Sequence, residues 1–442
     1  MRQPSIALPV WFFVFWCFGC SAAVDARDPG SASGSSGKAG SAGAAVTGVG
    51  GAGTSAAGSG AGGSVAGSAG NTMVAGAGGS VASGGSPGSG GCLVGGSGGN
   101  TGGGPATGEP GVWENVTPAG MTWTDGFGLM DVIVDPVRPS DLYAFVTIGT
   151  GVWKSTDYGV SWALVSTGTL ADVLTQGRQW TAAIDPNPGR DPSTPPTLYT
   201  SNGYGPVQGV FKSTDGGVNW AHYVAADEGV NVYSIDIDPC DNQHLIAGLH
   251  HTPDVIESTD AGQTWTRITT AGSSIYVWFV NTGDAASTHD TWLALSETDG
   301  GSGLQRTTNG GASWTSVNSL QHAHGSSQLF QEGGIIYAAG VYGSNGSGVY
   351  KSTDLGATWT RVSPDSGQNG VYGTSKFLYS HAGGQDPGLI TAPRDSDTSW
   401  TNMDHPADMT YATKRAAVTH DGAHEIIVAG NWNAGIWRYV EP

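Results

Sequence analysis

Five copies of one eight-residue pattern, each ending in tryptophan, constrain the fold of this chain more than any other feature. The pattern Ser-x-Asp-x-Gly-x-x-Trp, called the octet below, is intact in four copies, and one copy has Thr and Asn at its first and third positions. The third residues are Asp157, Asp215, Asp260, Asn309 and Asp354. The copies recur about every 50 residues, which is the period of a propeller blade. The spacing therefore predicts an all-β propeller.

Each octet has the composition of a hairpin turn. The Asp or Asn at the third position can accept hydrogen bonds from backbone N–H groups, and the glycine two residues later can adopt a positive φ. The tryptophan begins the next strand with a large apolar anchor. Because the motif recurs in blade after blade, we assign these side chains to the turns and not to a reaction centre.

The number of blades follows from the segments around the octets. Segments of the type Gly-x-x-x-Ser precede most of the octets, and a related segment over residues 435–439 has no outer strand after it. Residues 112–117 carry the Trp-x-x-Val pattern that also follows other octets. Because an unpaired strand edge must be covered, we predict seven blades, with this N-terminal strand completing the seventh.

The composition changes sharply before the propeller. Residues 21–111 are dominated by Gly, Ser, Ala and Thr, which cannot bury enough apolar surface to fold. We predict a disordered linker over residues 21–111 and a propeller over residues 112–442. Ahead of the linker, Arg2 and the apolar run from Ile6 to Phe18 are typical of a signal peptide and too short to span a membrane.

The end of the signal peptide leaves two exported forms open. Phe18-Gly19-Cys20-Ser21 resembles a bacterial lipoprotein cleavage site. It predicts a signal peptide over residues 1–20, a lipid on Cys20 that anchors the protein to a membrane, and an outer-membrane or cell-surface location. The alternative is cleavage after Ala26, which would release a secreted protein.

Charge and cysteine content limit the partners. The chain has 36 acidic and 17 basic residues and a net charge of -19, which disfavours nucleic acid. The cysteines are too few for a disulfide framework, and pairing of Cys92 with Cys240 stays open. Without a carboxylate at ligand spacing from the histidines, we predict no metal site. We expect a monomer without a cofactor; calcium in the channel stays open and cannot be assigned to residues.

Propellers place function in the loops at one end of the central channel. The loops opposite the octets are rich in aromatic, histidine and basic side chains, which suit sugar rings and their hydroxyls. We predict that the following residues bind substrate: Trp123, Arg178, Trp180, Tyr204, Tyr276, Tyr379, His381 and Trp432. For proton transfer and charge neutralisation we predict His250, His322, His324, Tyr342 and Arg415. Any single tyrosine of this set could equally fill the space between blades.

The octet resembles the Asp box of bacterial neuraminidase (BNR) repeats, which occurs in sialidases, two-propeller xyloglucanases, sortilin-like receptors and photosystem assembly factors. The resemblance implies the propeller fold, whereas departures limit what it implies about activity. No arginine triad of the sialidase type can be assigned, and Thr147 stands where the xyloglucanase motif has its catalytic aspartate.

Two functions therefore remain open. The first is a surface-anchored enzyme that cleaves a polysaccharide, either a glycoside hydrolase or a polysaccharide lyase. A hydrolase would need two carboxylates, for which the candidates are Asp125, Asp131 and Glu297. The second function is a non-catalytic adhesion or scaffold propeller that binds glycan or protein.

Overall fold

The computed structural model describes residues 108–223, 231–250, 252–270, 272, 274–296, 303–320, 328–340, 346–364, 367–382, 387–411 and 413–442. These residues form seven antiparallel sheets of four strands each. The sheets are the blades of a seven-bladed β-propeller, as the octet spacing predicted. In this part of the chain, no helix is long and apolar enough to cross a membrane.

Blades I to VI each contain four consecutive strands. Blade VII consists of the last three strands of the chain and the N-terminal strand β1, which is its outer strand. The strands of blades I to III are β2 (Leu129–Val134), β3 (Leu142–Val146), β4 (Val152–Ser155) and β5 (Ala163–Leu164); β6 (Ala182–Ile184), β7 (Leu198–Asn202), β8 (Gly209–Ser213) and β9 (Ala221–Tyr223); β10 (Val232–Asp238), β11 (Asp241–Leu249), β12 (Asp254–Ser258) and β13 (Thr266–Thr269).

The later blades follow the same order. Their strands are β14 (Ser274–Phe279), β15 (Trp292–Ser296), β16 (Leu304–Thr307) and β17 (Thr315–Asn318); β18 (Phe330–Glu332), β19 (Ile335–Gly340), β20 (Gly348–Ser352) and β21 (Thr360–Arg361); β22 (Gln368–Gly373), β23 (Phe377–Ala382), β24 (Leu389–Pro393) and β25 (Thr401–Asn402); β26 (Arg415–His420), β27 (Glu425–Gly430), β28 (Ile436–Val440) and β1 (Trp113–Asn115). Two short helices, α1 (Ala171–Leu174) and α2 (Ala285–Asp290), lie in loops.

Burial falls from the inner to the outer strands. The second strand of blade I, Leu-Tyr-Ala-Phe-Val, is buried throughout, because neighbouring blades cover both of its faces. The outermost strands β5, β21 and β25 are short and exposed. The first strands contact one another around the channel: β26 contacts β2, β2 contacts β6, and β6 contacts β10. Short, exposed outer strands limit pairing with other chains.

The octet turns are closed by hydrogen bonds within eight residues. In the first, the Ser155 hydroxyl donates to Asp157 Oδ1 at 2.7 Å and accepts from the Gly159 N–H at 2.9 Å. Asp157 Oδ1 also accepts from the Ser161 N–H at 2.9 Å, and Trp162 Nε1 donates to the Gly159 carbonyl at 3.1 Å. The other intact copies repeat these contacts.

The residue between the Asp and Gly of the octet has a second role. It adopts a positive φ even where it is not glycine, with 59° at Tyr158, 58° at Ala261 and 56° at Leu355. In these three turns, its carbonyl accepts a hydrogen bond from a basic side chain of the preceding blade. That basic residue lies near the end of the third strand of its blade. The pairs are Arg438 with Tyr158 at 2.9 Å, Lys212 with Ala261 at 2.9 Å, and Arg306 with Leu355 at 2.8 Å. These contacts link neighbouring blades.

The N-terminal strand closes the ring as predicted. In the seventh sheet, β1 pairs antiparallel with β28, with Trp113 opposite Tyr439 and Glu114 opposite Arg438. The rings of Trp113 and Tyr439 lie 5.1 Å apart. Backbone hydrogen bonds extend the pairing beyond the strand ends, from the Gly111 N–H to the Val440 carbonyl and from the Val116 N–H to the Ile436 carbonyl.

Cys240 lies in the turn between β10 and β11 and is disulfide-bonded. The other cysteines of the chain, Cys17, Cys20 and Cys92, lie outside the described residues. The lipidation site predicted at Cys20 therefore stays a sequence-based prediction.

Replacement of the closing tryptophan tests how far the ring depends on β1. We expect Trp113→Ala to lower the free energy of unfolding by about 3–5 kcal/mol, because it removes a large buried side chain at the closing pair. Val112→Ala is the matched control, since Trp113 is 4% exposed and Val112 is 43% exposed. Urea unfolding followed by tryptophan fluorescence measures both, and equal stability of the two variants would contradict the closure role.

Candidate functional site

The antiparallel topology places two sets of loops at the same end of the propeller. Since neighbouring strands run in opposite directions, the segment before each first strand and the segment after each second strand lie opposite the octet turns. Phe127 and Trp180 stand two residues before β2 and β6, Tyr204 follows β7, and Trp432 follows β27. We call this end the loop face.

Aromatic rings from four blades meet at the loop face. The Trp180 and Tyr233 rings stack at 4.6 Å, and Tyr233 stacks on His250 at 4.3 Å. Phe127 contacts Trp180 edge-on at 5.3 Å and stacks on Trp432 at 4.9 Å. Together with Tyr204 and Tyr411, these residues form a continuous set of rings across blades VII, I, II and III, called the aromatic cluster below.

Tyr204 presents the cluster to solvent. Its side chain is one of the few large hydrophobic ones that are exposed, at 39%, and its φ is 56°. The Tyr233 hydroxyl donates to the Tyr204 hydroxyl at 3.1 Å, and the Tyr204 hydroxyl lies 3.2 Å from His250 Nδ1. These contacts join Tyr204, Tyr233 and His250 in one hydrogen-bonded group. The Asn231 side chain accepts from the Tyr204 N–H at 2.8 Å.

Arg178 lies within the aromatic cluster and carries its own counter-ion. Its guanidinium is 4.1 Å from the centre of the Phe127 ring and 4.9 Å from that of Tyr204. Arg178 Nε lies 3.0 Å from Asp125 Oδ2. Asp125 Oδ1 accepts from the Thr147 hydroxyl at 3.1 Å. A carboxylate, that of Asp125, therefore lies beside Thr147, the residue at the position of the catalytic aspartate in the xyloglucanase motif. This carboxylate is paired with Arg178.

Lys414 stands on the opposite side of the cluster, in blade VII. The side chain is buried, and Nζ lies 3.8 Å from the centre of the Trp432 ring. Burial lowers the pKa of Lys414 well below its usual value. Within the described residues, the ammonium has no hydrogen bond or ion pair. Trp432 itself is held by backbone pairing with Leu129 of blade I.

Two carboxyls lie on the first strands that surround the channel, and of these Asp131 is buried and Asp236 half-buried. Asp131 Oδ1 lies 3.0 Å from Arg415 Nε, and Oδ2 accepts from the Ala182 N–H at 2.7 Å. Burial raises the pKa of Asp131 to about 6, although Arg415 opposes the rise. Asp236 Oδ2 accepts from the Phe279 N–H at 2.8 Å, and burial raises the pKa of Asp236 to about 7.

The structure brings together five of the predicted site residues in or beside the cluster: Arg178, Trp180, Tyr204, His250 and Trp432. Arg415 lies nearby, in the ion pair with Asp131. His322, His324, Tyr342 and Glu297 lie outside the described residues.

Four other predicted site residues lie outside the aromatic cluster. Tyr276 is buried and packs in the core that contains Trp180 and Tyr233. Tyr379 is buried and its hydroxyl donates to Glu441 at 2.8 Å, near the octet end of blade VI. His381 is buried against Gly370 of the same blade. Trp123 is half-buried and packs on the core of blade I.

Three residues of this region, Phe127, Tyr411 and Asp236, are not among the site residues predicted from the sequence. A positional signal exists for Phe127, which stands two residues before its first strand, as Trp180 does. Asp236 belongs to an alternation of polar and aliphatic residues, Ser234-Ile-Asp236-Ile-Asp238, which is typical of a strand with one polar face. Among the described residues, no three His, Cys, Asp or Glu side chains form a group that could hold a metal ion.

Arg415 offers a test of the channel ion pair. We expect Arg415→Ala to lower the free energy of unfolding by about 1–2 kcal/mol at pH 7, because Asp131 loses its counter-ion and must either stay charged or take up a proton. The pKa of Asp131 is raised in the fold, so the loss should shrink as the pH falls below about 6 and the carboxyl takes up a proton.

Urea unfolding at pH 4.5 and pH 7, two values chosen to fall on either side of that pKa, measures the effect. The double variant Asp131→Asn, Arg415→Met is the control and should recover stability at pH 7. A pH-independent loss in Arg415→Ala would contradict the assignment.

Comparison with known proteins shows the fold. No protein family and no curated protein sequence matches the chain. Among solved structures, it is similar to an ancestral GH74 enzyme, with 18% identity and a TM-score of 0.51 over 72% of this chain and 45% of that chain. It is also similar to YCF48 bound to a D1 peptide, with 13% identity and a TM-score of 0.50 over 76% of this chain and 99% of that chain.

The two similar structures differ in extent, since this chain spans less than half of the GH74 enzyme and nearly all of YCF48. At these identities, the similarity extends to the fold alone. Sheet topology and structural similarity together identify the protein as a seven-bladed β-propeller.

Proposed function

We propose that the loop face is a carbohydrate-binding surface. The observation that carries the proposal is the aromatic cluster, in which rings from four blades meet at one end of the channel with Tyr204 exposed and Phe127 and Trp432 half-buried. Sugar rings stack their C–H faces on such side chains. The cluster is backed by buried rings and hydrogen bonds, so little conformational entropy would be lost on binding.

Polar groups at the same place suit a ligand with hydroxyls. The Arg178 guanidinium lies beside the rings of Phe127 and Tyr204 and is paired with Asp125. Sugar hydroxyls both donate and accept hydrogen bonds, so they suit these charged groups and the Tyr204 hydroxyl.

The fold similarity is compatible with binding and with catalysis. One similar structure is named as a GH74 enzyme and the other as a protein bound to a peptide. The choice between these functions therefore depends on the site. At the surface of the aromatic cluster, the described carboxylate is Asp125, which is engaged by Arg178. This arrangement favours binding.

A hydrolase is the second candidate, favoured by one observation. Burial raises the pKa of Asp131 to about 6 and that of Asp236 to about 7. The side chain of Asp236 is half-buried and therefore keeps some exposure to solvent. A carboxyl that keeps its proton near neutral pH can act as a general acid. Under this candidate, Asp236→Asn would abolish the release of reducing ends and leave polysaccharide binding intact. A lyase is less favoured, because Arg415 is committed to Asp131.

A polysaccharide panel tests the binding proposal. We expect Tyr204→Ala to weaken polysaccharide binding about tenfold or more, because truncation of a central aromatic contact commonly costs 2 kcal/mol or more. Isothermal titration calorimetry measures the affinity, and assays for reducing ends and unsaturated uronates on the same samples detect cleavage.

Two control variants separate binding from stability. Val218→Ala, at an equally exposed octet residue, should change neither affinity nor melting temperature. Asp215→Ala should destabilise its turn by about 0.5–2 kcal/mol and leave the affinity unchanged. Loss of affinity in Asp215→Ala, or full affinity in Tyr204→Ala, would refute the proposal.

The cellular location is a proposal from the sequence. We infer that the protein is exported and held at a membrane surface by a lipid on Cys20, with residues 21–111 as a tether. Mass spectrometry of the mature N-terminus should find a lipidated Cys20. An unmodified N-terminus after Ala26 would instead identify a secreted protein.

A further inference from the structure

Among the described residues, three basic side chains lie at or near the loop face, and two of them are paired with carboxylates. Arg178 lies 3.0 Å from Asp125, and Arg415 lies 3.0 Å from Asp131. The Lys414 amine has no ion pair or hydrogen bond in the described part of the chain. A basic side chain without a counter-ion is a local departure in a protein with a net charge of -19.

The surroundings of Lys414 are incomplete for a buried charge. The residue is 1% exposed, and the Trp432 ring is the group that its ammonium faces, at 3.8 Å. A cation–π contact offsets only part of the cost of taking an ammonium out of water. Trp432 Nε1 is a buried donor without a partner in the described residues. The site therefore has a basic group that no described carboxylate pairs with.

We propose that the loop face takes an anionic glycan and that the Lys414 ammonium binds the acidic substituent of one sugar. The inference rests on the proposed function and adds the chemical class of the ligand. A carboxylate or a sulfate ester supplies the counter-ion that the site lacks. The neighbouring rings of Trp432 and Tyr411, which stack at 6.2 Å, provide a surface for the sugar that carries it.

The pKa of Lys414 should rise when an anionic ligand binds beside it. Burial is the whole cause of the low Lys414 pKa, and the adjacent cation, Arg415, is paired with Asp131. An anion beside the amine favours the charged form and raises its pKa. The affinity for an anionic ligand should therefore fall as the pH rises above the pKa of the complex.

Three polymers of matched length test the proposal on the intact propeller. Polygalacturonate carries carboxylates, carrageenan carries sulfate esters, and galactan is neutral. We expect the wild-type protein to bind at least one anionic polymer more tightly than galactan. Lys414→Met should lower that affinity about tenfold or more relative to its effect on galactan binding, so that the preference for the anionic polymer is lost. Lys376→Met is the matched control, because it removes the same charge from an exposed side chain near the octet end.

The outcomes separate the two proposals. A protein that binds none of the polymers refutes both the proposed function and this inference. Equal affinity for all three polymers, or an anionic preference that survives Lys414→Met, refutes only the inference. If Lys414→Met does not fold, the affinity of the wild-type protein for the anionic polymer and for galactan is measured as the pH is raised through the alkaline range. A fall in affinity for the anionic polymer alone supports the role of Lys414, and a pH-independent affinity overturns it.

Discussion

The first strand of every blade has one edge with no further strand to pair with, and the ring depends on how that edge is satisfied. Side chains of the preceding blade accept from its N–H groups. Asp131 accepts from Ala182, and the Thr181 hydroxyl accepts from Ile235 at 2.9 Å. The Ser234 hydroxyl accepts from Val277 at 3.1 Å. Since buried backbone donors must be paired, these contacts fix neighbouring blades to each other along the channel.

The same constraint explains why the channel and the loop face differ in character. Polar side chains around the channel, such as Asp131 and Arg415, are occupied by structural hydrogen bonds. At the loop face the strands have ended, so side chains there do not have to accept hydrogen bonds from the N–H groups of a neighbouring first strand. Aromatic rings of different blades can therefore pack against one another. At the octet end, the basic side chains Lys212, Arg306 and Arg438 bind turn carbonyls of the next blade. One end of the propeller thus carries the octet turns and the hydrogen bonds that link blades, whereas the aromatic cluster lies at the other.

Closure of the ring also assembles the candidate site. Phe127 belongs to blade I and Trp432 to blade VII, and their rings stack because Leu129 and Trp432 exchange two backbone hydrogen bonds, of 3.2 and 3.1 Å. Lys414 lies on the blade VII side of this contact. Any loosening of the β1–β28 pairing would therefore reach the aromatic cluster as well as the core.

The sequence by itself determined the octet turns, the seven blades and the closing strand, because each depends on contacts within a few residues or on a regular spacing. It also indicated which loops share a face. Only the tertiary structure decided which side chains meet there. Asp131 and Arg415, separated by 284 residues, form an ion pair, whereas Tyr379 turns to Glu441. The absence of a described counter-ion at Lys414 is likewise a property of the assembled ring, since proximity between blades is set by packing and not by sequence distance.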